Sequence, residues 1–244
     1  MLRALFLALT LLWIATDVSA SVSTGKEAVA EVRSGYNDLE KAVLDEMSAR
    51  ADLIYARLAA FFGRDLPTPI IIHFDDRYEV STSYPHINTI GFPRYAAERN
   101  IAVLAHEMTH LFMPERRSVL LSEGIAIYAQ DRFGVVIGFP NYGTDVDKLL
   151  MRRLGGIDGL RRYRLEAVPH AIFGRAGNRN RQTAYIAAGS FTRFLFEQVL
   201  KQDMAAFRRI YTTGDYRRET GKTLADLQAD WWRHLGLETE PPPL

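Results

Sequence analysis

Apolar residues recur along the first third of the chain at a helical interval. Leu39, Val43, Met47, Ala51, Ile54, Leu58 and Phe62 follow one another in steps of three or four. That spacing predicts a helix from about Tyr36 to Phe62, with Gly63 as its C-cap and Pro67 and Pro69 preventing continuation. Pro69 to Phe74 is a short β-branched run bounded by turn residues, which predicts a buried strand. Ile87 to Phe92, closed by Pro93, predicts a second and weaker strand. Helical patterns then take over. Tyr95 to Met113 reads as one helix stopped by Pro114, and Leu120 to Phe133 as the next. Thr144-x-x-Asp147 has the form of a capping box opening a helix through Arg153. Thr183 to Leu200 reads as a long apolar helix, and Asp203 caps a shorter one. Thr223-x-x-Asp226 opens the last helix, with Leu224, Leu227, Trp231 and Leu235 on one face.

Ser21 to Ser34 is weakly patterned and reads as a loose lead-in. Residues 35–238 read as one α+β domain, a little sheet first and helices after, and 239–244 as a disordered, proline-rich tail. Before all of this, Arg3 and a twelve-residue apolar run from Ala4 to Ala15 precede Val18-Ser19-Ala20. This is the form of a secretory signal cleaved after Ala20. A membrane span needs about 20 apolar residues, and Asp17 ends this run too early. The expectation is a secreted or periplasmic protein with no stable membrane insertion after cleavage.

Composition narrows the chemistry. The 244 residues include no cysteine, so a disulfide framework, a thiolate metal site and a cysteine nucleophile are all excluded. Any metal must be held by histidine, carboxylates or neutral oxygen groups. The formal net charge is +1, far from the strongly basic balance of a protein that binds nucleic acid over its surface. Charge is nevertheless uneven. Arginines 152, 153, 161, 162, 164, 175, 179 and 181 face only Asp158 and Glu166 over the same stretch. The plain reading is a solvated basic face; the sharper one is an acidic partner or acidic peptide substrate.

The segment with the clearest chemistry is His106-Glu-Met-Thr-His110. On a helix, residues i and i+4 share a face, so both imidazoles can reach one ion with Glu107 beside it. The flanking residues are almost all apolar, and two histidines and a glutamate buried among them are costly without a partner. A catalytic zinc site usually has three protein ligands and one open position. The next helix offers Leu121-Ser-Glu-Gly-Ile-Ala-Ile-Tyr128, in which Glu123 is a lone acid. Two antiparallel helices joined by the short Pro114–Ser118 turn would bring it back over the histidines. Glu115 is the rival ligand, and a plain carboxylate near a helix start is the simpler account of Glu123. Asp131 is a candidate to orient a ligand imidazole from behind. Tyr185 is a candidate hydrogen-bond donor to a developing oxyanion, with His170 as its competitor. His73 and His86 suggest no role, and His234 suits a helix C-terminus.

His106-Glu107-x-x-His110 followed by Glu123-Gly124-x-Ala126 resembles the gluzincin metallopeptidases, specifically the peptidase MA-like domains related to the aminopeptidase N catalytic domain. Tyr185-Ile-Ala-Ala-Gly189-Ser-Phe and Gly221-x-Thr-x-x-x-Leu-x-x-x-Trp231 are similar to two further segments of that family, and the likeness runs from about Pro69 to Leu235. The resemblance implies a zincin-like fold, a small N-terminal sheet packed on the zinc-binding helix with a mostly helical C-terminal half. It implies one zinc ion held by His106, His110 and Glu123, with Glu107 as general base and Tyr185 stabilising the oxyanion. The Gly-x-Met-Glu-Asn segment that grips a substrate's amino terminus is absent. Asn88 to Phe92 stands in its place and suggests an edge strand beside the cleft. The expectation is therefore an exported endopeptidase acting on a peptide or protein. The other readings are a zinc-binding module without turnover and a zinc hydrolase of a non-peptide bond.

Overall fold

The computed structural model describes residues 29–35, 39, 41–115, 117–174 and 177–237. The signal segment with its cleavage site after Ala20, most of the lead-in and the tail lie outside the described residues. The elements are β1 (Ala30–Ser34), α1 (Lys41–Phe62), β2 (Ile70–Phe74), β3 (Thr82–Tyr84), β4 (Thr89–Phe92), α2 (Arg94–Glu98), α3 (Leu104–Phe112) and α4 (Val119–Phe133). They continue with α5 (Val146–Leu154), α6 (Ile157–Arg162), α7 (Val168–Phe173), α8 (Asn178–Arg193), α9 (Met204–Thr213), α10 (Tyr216–Thr220) and α11 (Leu224–His234). The architecture is α+β, a four-stranded sheet followed by helices, as the apolar pattern predicts.

The sheet runs in the order β1-β2-β4-β3. Strands β1, β2 and β4 are parallel, and β3 is antiparallel to β4. This corrects two expectations. Residues 30–34 are not loose lead-in; they form an edge strand, with Ala30 opposite Ile70 and Ser34 opposite Phe74. Their pattern is weak because the strand is held from outside. The Asp52 carboxylate on α1 accepts from the backbone N–H of both Val29 and Ala30 at 3.1 Å. Nor is the Asn88–Phe92 stretch an edge. Its strand, β4, lies between β2 and β3, and the edge is Thr82-Ser83-Tyr84, a polar run too short to register as a strand alone.

Helix α1 packs on β1 and α3. Its Met47, Ala51, Ile54, Leu58 and Phe62 are buried, as the spacing requires, and Gly63 closes it with φ +59°. Phe62 stacks on Phe112 at 5.3 Å between centroids, and Tyr55 adds a tilted ring at 5.6 Å. These rings pin the end of α3 to α1. Truncating a fully buried aromatic of this kind costs about 3–5 kcal/mol.

The expected helix from Tyr95 to Met113 is two helices. Asn100, at φ +54°, ends α2, and the Ile101 N–H returns to the Ala96 carbonyl. Asparagine tolerates this left-handed position better than most residues. A tight turn at Val103, closed by the Leu104 N–H on the Ala102 carbonyl at 2.9 Å, then leads into α3. The expected capping box at Thr144 is also displaced. Asp145 is the N-cap, accepting from the Asp147 and Lys148 N–H groups. Helix α8 begins at Asn178 rather than Thr183, and a wider π-helical turn over Phe194–Val199 follows it. The caps at Asp203 and Thr223 occur as expected, the latter with its full capping box.

Candidate metal centre

Helices α3 and α4 pack on each other as an antiparallel pair, α4 beginning shortly after α3 ends. Ser118 caps α4 through the Leu121 N–H. The pairing brings Glu123 back over the histidines, as the short turn suggested. Glu123 Oε2 lies 3.4 Å from His106 Nε2 and 3.6 Å from His110 Nε2. Among the described residues these three form the group able to hold a metal ion, with one donor atom each and all donors within 4.8 Å of one another. The edge of a tetrahedron with metal–ligand bonds of about 2.0–2.2 Å is about 3.4 Å, so the donor set fits a first-row divalent ion. Glu115, the rival, is exposed and outside this group.

The electrostatics agree with that fit. Burial favours the neutral form of His106, but its contact with Glu123 and the charge of Glu107 outweigh this and raise its pKa. Burial likewise opposes ionisation of Glu123, yet the two imidazoles hold its carboxyl well below the usual range. Without a metal, a proton on His106 answers the ionised Glu123 carboxylate; a bound metal takes the place of that proton, leaving the neutral imidazole and carboxylate that ligation requires.

Glu107 faces another partner. Ser83 Oγ on β3 donates to Glu107 Oε2 at 2.7 Å and lies 2.9 Å from the Glu107 carbonyl. The edge strand is thus tied directly to the glutamate between the histidines. Ser83 carried no signal in the sequence, because its strand is only three residues long. Two more supports were equally hidden. Ser122 Oγ sits 3.4 Å from His110 Nδ1, and the Tyr211 hydroxyl, which donates to the Met113 carbonyl at 2.7 Å, is 3.4 Å from that Ser122 oxygen. Gln130 accepts from the His106 N–H at 3.2 Å and donates to the Val136 carbonyl at 3.0 Å. Asp131 does not take the orienting role expected of it. It accepts from Asn141 Nδ2 at 2.9 Å; its neighbour Gln130 meets the backbone N–H of His106, and the His106 Nδ1 is buried without a hydrogen-bond partner. Asp131 and Gln130 are adjacent on α4, and helix phase decides which of them meets α3.

The glycines of the two motifs have a packing reason. A Cβ on Gly124 would lie 1.9 Å from Thr192 Oγ1 and 2.5 Å from the Ala188 carbonyl, and one on Gly189 would lie 2.6 Å from Ile127 Cγ2. Helices α4 and α8 therefore approach through bare backbone at the turn that carries Glu123. Tyr128, which ends the α4 motif, donates to Glu197 Oε1 at 3.0 Å. Burial and that carboxylate push its pKa up to about 12. Tyr185 stands one turn before Ala188 on α8, half-buried, with its ring edge-on to Phe139 at 5.1 Å. His170 and His86 are exposed. His73 faces Arg77, and burial together with that arginine lowers its pKa. His234 lies 3.8 Å from Asp147 rather than simply capping its helix. Compared with known proteins, the chain matches no family model, no curated protein and no solved structure.

Proposed function

We propose that this protein is a zinc-dependent metallopeptidase with a zincin-like arrangement of the gluzincin type. The observation that carries the reading is the convergence of His106 Nε2 and His110 Nε2 on Glu123 Oε2, with Glu107 held alongside by Ser83. Zinc held by His106, His110 and Glu123 would supply Lewis acidity toward a carbonyl and bring the pKa of bound water to about 7. Glu107 accepts the proton of the attacking water and returns it to the leaving amine. Ser83 fixes the Glu107 carboxylate during both transfers, acting as a positioning residue. Tyr185 donates to the oxyanion, a contribution of about 3–4 kcal/mol for a well-placed donor. The peptide pairs with the free side of β3, the edge strand that carries Ser83, and so lies across Glu107.

The test is cleavage of an unbiased peptide library by the zinc-loaded chain, with Glu107→Ala beside it. Discrete cleavage by the wild type alone supports the mechanism. Zinc bound by both with cleavage by neither removes peptide hydrolysis from the reading.

A further inference from the structure

The segment between α4 and α5 inverts the usual placement of polar and apolar side chains. Val135, Ile137, Phe139 and Tyr142 all face solvent, Ile137 at 67% and Tyr142 at 56% exposure. Gly138, Pro140 and Asn141, between them, are buried. Ten large apolar side chains are exposed among the described residues, and four fall in these eight positions. A cluster of this kind marks an interaction surface rather than chance exposure.

The segment is also held rigidly from inside. Gln130 Nε2 donates to the Val136 carbonyl, and Gln182 Nε2 donates to the Pro140 carbonyl at 2.6 Å. Asn141 Nδ2 donates to Asp131 and to the Thr144 carbonyl. Gly138 seats against the residues just before α3, where a Cβ would come within 2.4 Å of Val103 Cγ1. The apolar side chains are therefore presented in a fixed arrangement, and little ordering entropy is lost on binding.

The surroundings say what they meet. Arg132 precedes the segment and is exposed. Arg153 donates to Gln182 Oε1 at 2.5 Å, the same side-chain amide that holds Pro140. Arg152 and Arg179 are exposed on the neighbouring ends of α5 and α8. Of the nearby acids, Asp145 and Asp147 share Arg193, while Asp131 is held by the neutral amide of Asn141 and is outnumbered by Arg132, Arg152 and Arg179. A row of outward apolar and aromatic side chains rimmed by arginines complements an anionic bilayer surface. The apolar groups enter the headgroup–acyl boundary, while the guanidinium groups stay at the phosphates. An acidic peptide would answer the arginines and leave the apolar row uncovered.

We infer that residues 135–142 dock this protein on an anionic lipid surface, with the exposed Arg132, Arg152 and Arg179 at the lipid phosphates. No described helix is long and apolar enough to cross a membrane. Because Gln130 joins the segment to the backbone of His106, docking brings the metal-binding group to the bilayer.

The chain has no cysteine, so a single Ile137→Cys carries one environment-sensitive fluorophore at a chosen place. Arg218→Cys serves as the control. It lies on α10, whose Tyr216 meets Ser118 at the opposite end of α4. Residues 4–15 are themselves apolar, so the local label, and not sedimentation of the chain, is the readout. The expected result on phosphatidylglycerol vesicles is a blue shift at position 137 and none at 218. The shift weakens on phosphatidylcholine and in high salt. Adding Phe139→Asp and Tyr142→Asp lowers the apparent partition coefficient at least tenfold. No shift at 137, or an equal shift at both positions, overturns the inference. A shift produced by an acidic polypeptide and not by vesicles also overturns it, and assigns the surface to a protein partner.

Discussion

Two polar clusters sit on either side of α4 and α8, and both combine histidine with carboxylates. At the α5–α8–α11 junction, Arg193 pairs with Asp145 at 2.8 Å and with Asp147. Asp147 also accepts from Ser190 Oγ at 2.5 Å, and Trp231 Nε1 donates to that same serine at 3.0 Å. His234 stands 3.8 Å away. Burial disfavours charge on Arg193, but the two aspartates outweigh it and raise its pKa. Here the chain supplies its own cation. At α3–α4 the converging atoms are two imidazole nitrogens and a carboxylate oxygen, each a metal ligand once the imidazoles are neutral, and none belongs to a permanently charged side chain like Arg193. Each place gathers three such residues: Asp145, Asp147 and His234 in one, and His106, His110 and Glu123 in the other. What separates a structural charge network from a metal-binding group is whether the cation is built into the sequence.

Breaking that contrast gives the largest effects first. Glu123→Ala should weaken zinc binding by at least about a hundredfold, more than loss of an outer-shell partner would. Calorimetric titration of the metal checks this, and an unchanged affinity would mean that the third ligand lies elsewhere. Arg193→Met should leave metal affinity intact and lower stability by about 1–3 kcal/mol, because Asp145 and Asp147 lose their shared partner. A denaturant midpoint that does not move would show that cluster to be energetically idle.

Gly124→Ala tests the joint between the two regions. The Ala188 carbonyl cannot step aside like a flexible side chain, so α4 and α8 must separate at a cost of about 1–3 kcal/mol. Unlike Arg193→Met, this change should also weaken the metal, since Glu123 moves with its neighbour. Thermal melts with and without zinc distinguish the two variants. Ser83→Ala should retain full metal affinity and lower kcat/KM about tenfold through misorientation of Glu107, with Ser83→Thr restoring most of it. A loss of metal in Ser83→Ala would instead give Ser83 a purely structural role.

The smallest effect concerns pH in the metal-free protein. The raised pKa of His106 contributes stability that is present below pH 6.5 and lost as pH rises through its folded value. The lowered pKa of Glu123 contributes stability that is present above pH 4.5 and lost as pH falls through its folded value. The pair therefore helps most between those limits. With chelator present, the melting temperature should decline from pH 6 to pH 8.5, and Glu123→Gln should flatten that slope. Zinc affinity should run the other way and rise with pH, as the metal displaces the His106 proton.

Much of this was visible in the linear chain. Steps of three and four from Leu39 to Phe62 placed α1, and His106, His110 and Glu123 stood out because charge is scarce among their apolar neighbours. Helix periodicity and charged residues in apolar runs are local signals, so they survive without a fold. Three things escaped. β1 and β3 are strands because β2 and β4 pair with them, not because of their own residues. The break at Asn100 depends on one left-handed residue inside a continuous apolar pattern. The choice of Gln130 over Asp131 depends on a phase difference of one residue on α4.

The sequence by itself determined which side chains could hold a metal and which helices would carry them, since both follow from spacing along one chain. Only the tertiary structure decided that Ser83 reaches Glu107, that Gly124 and Gly189 let α4 meet α8, and that residues 135–142 turn their apolar side chains outward. Those are contacts between segments far apart in the chain, and their energy exists only once the backbone has brought the partners together.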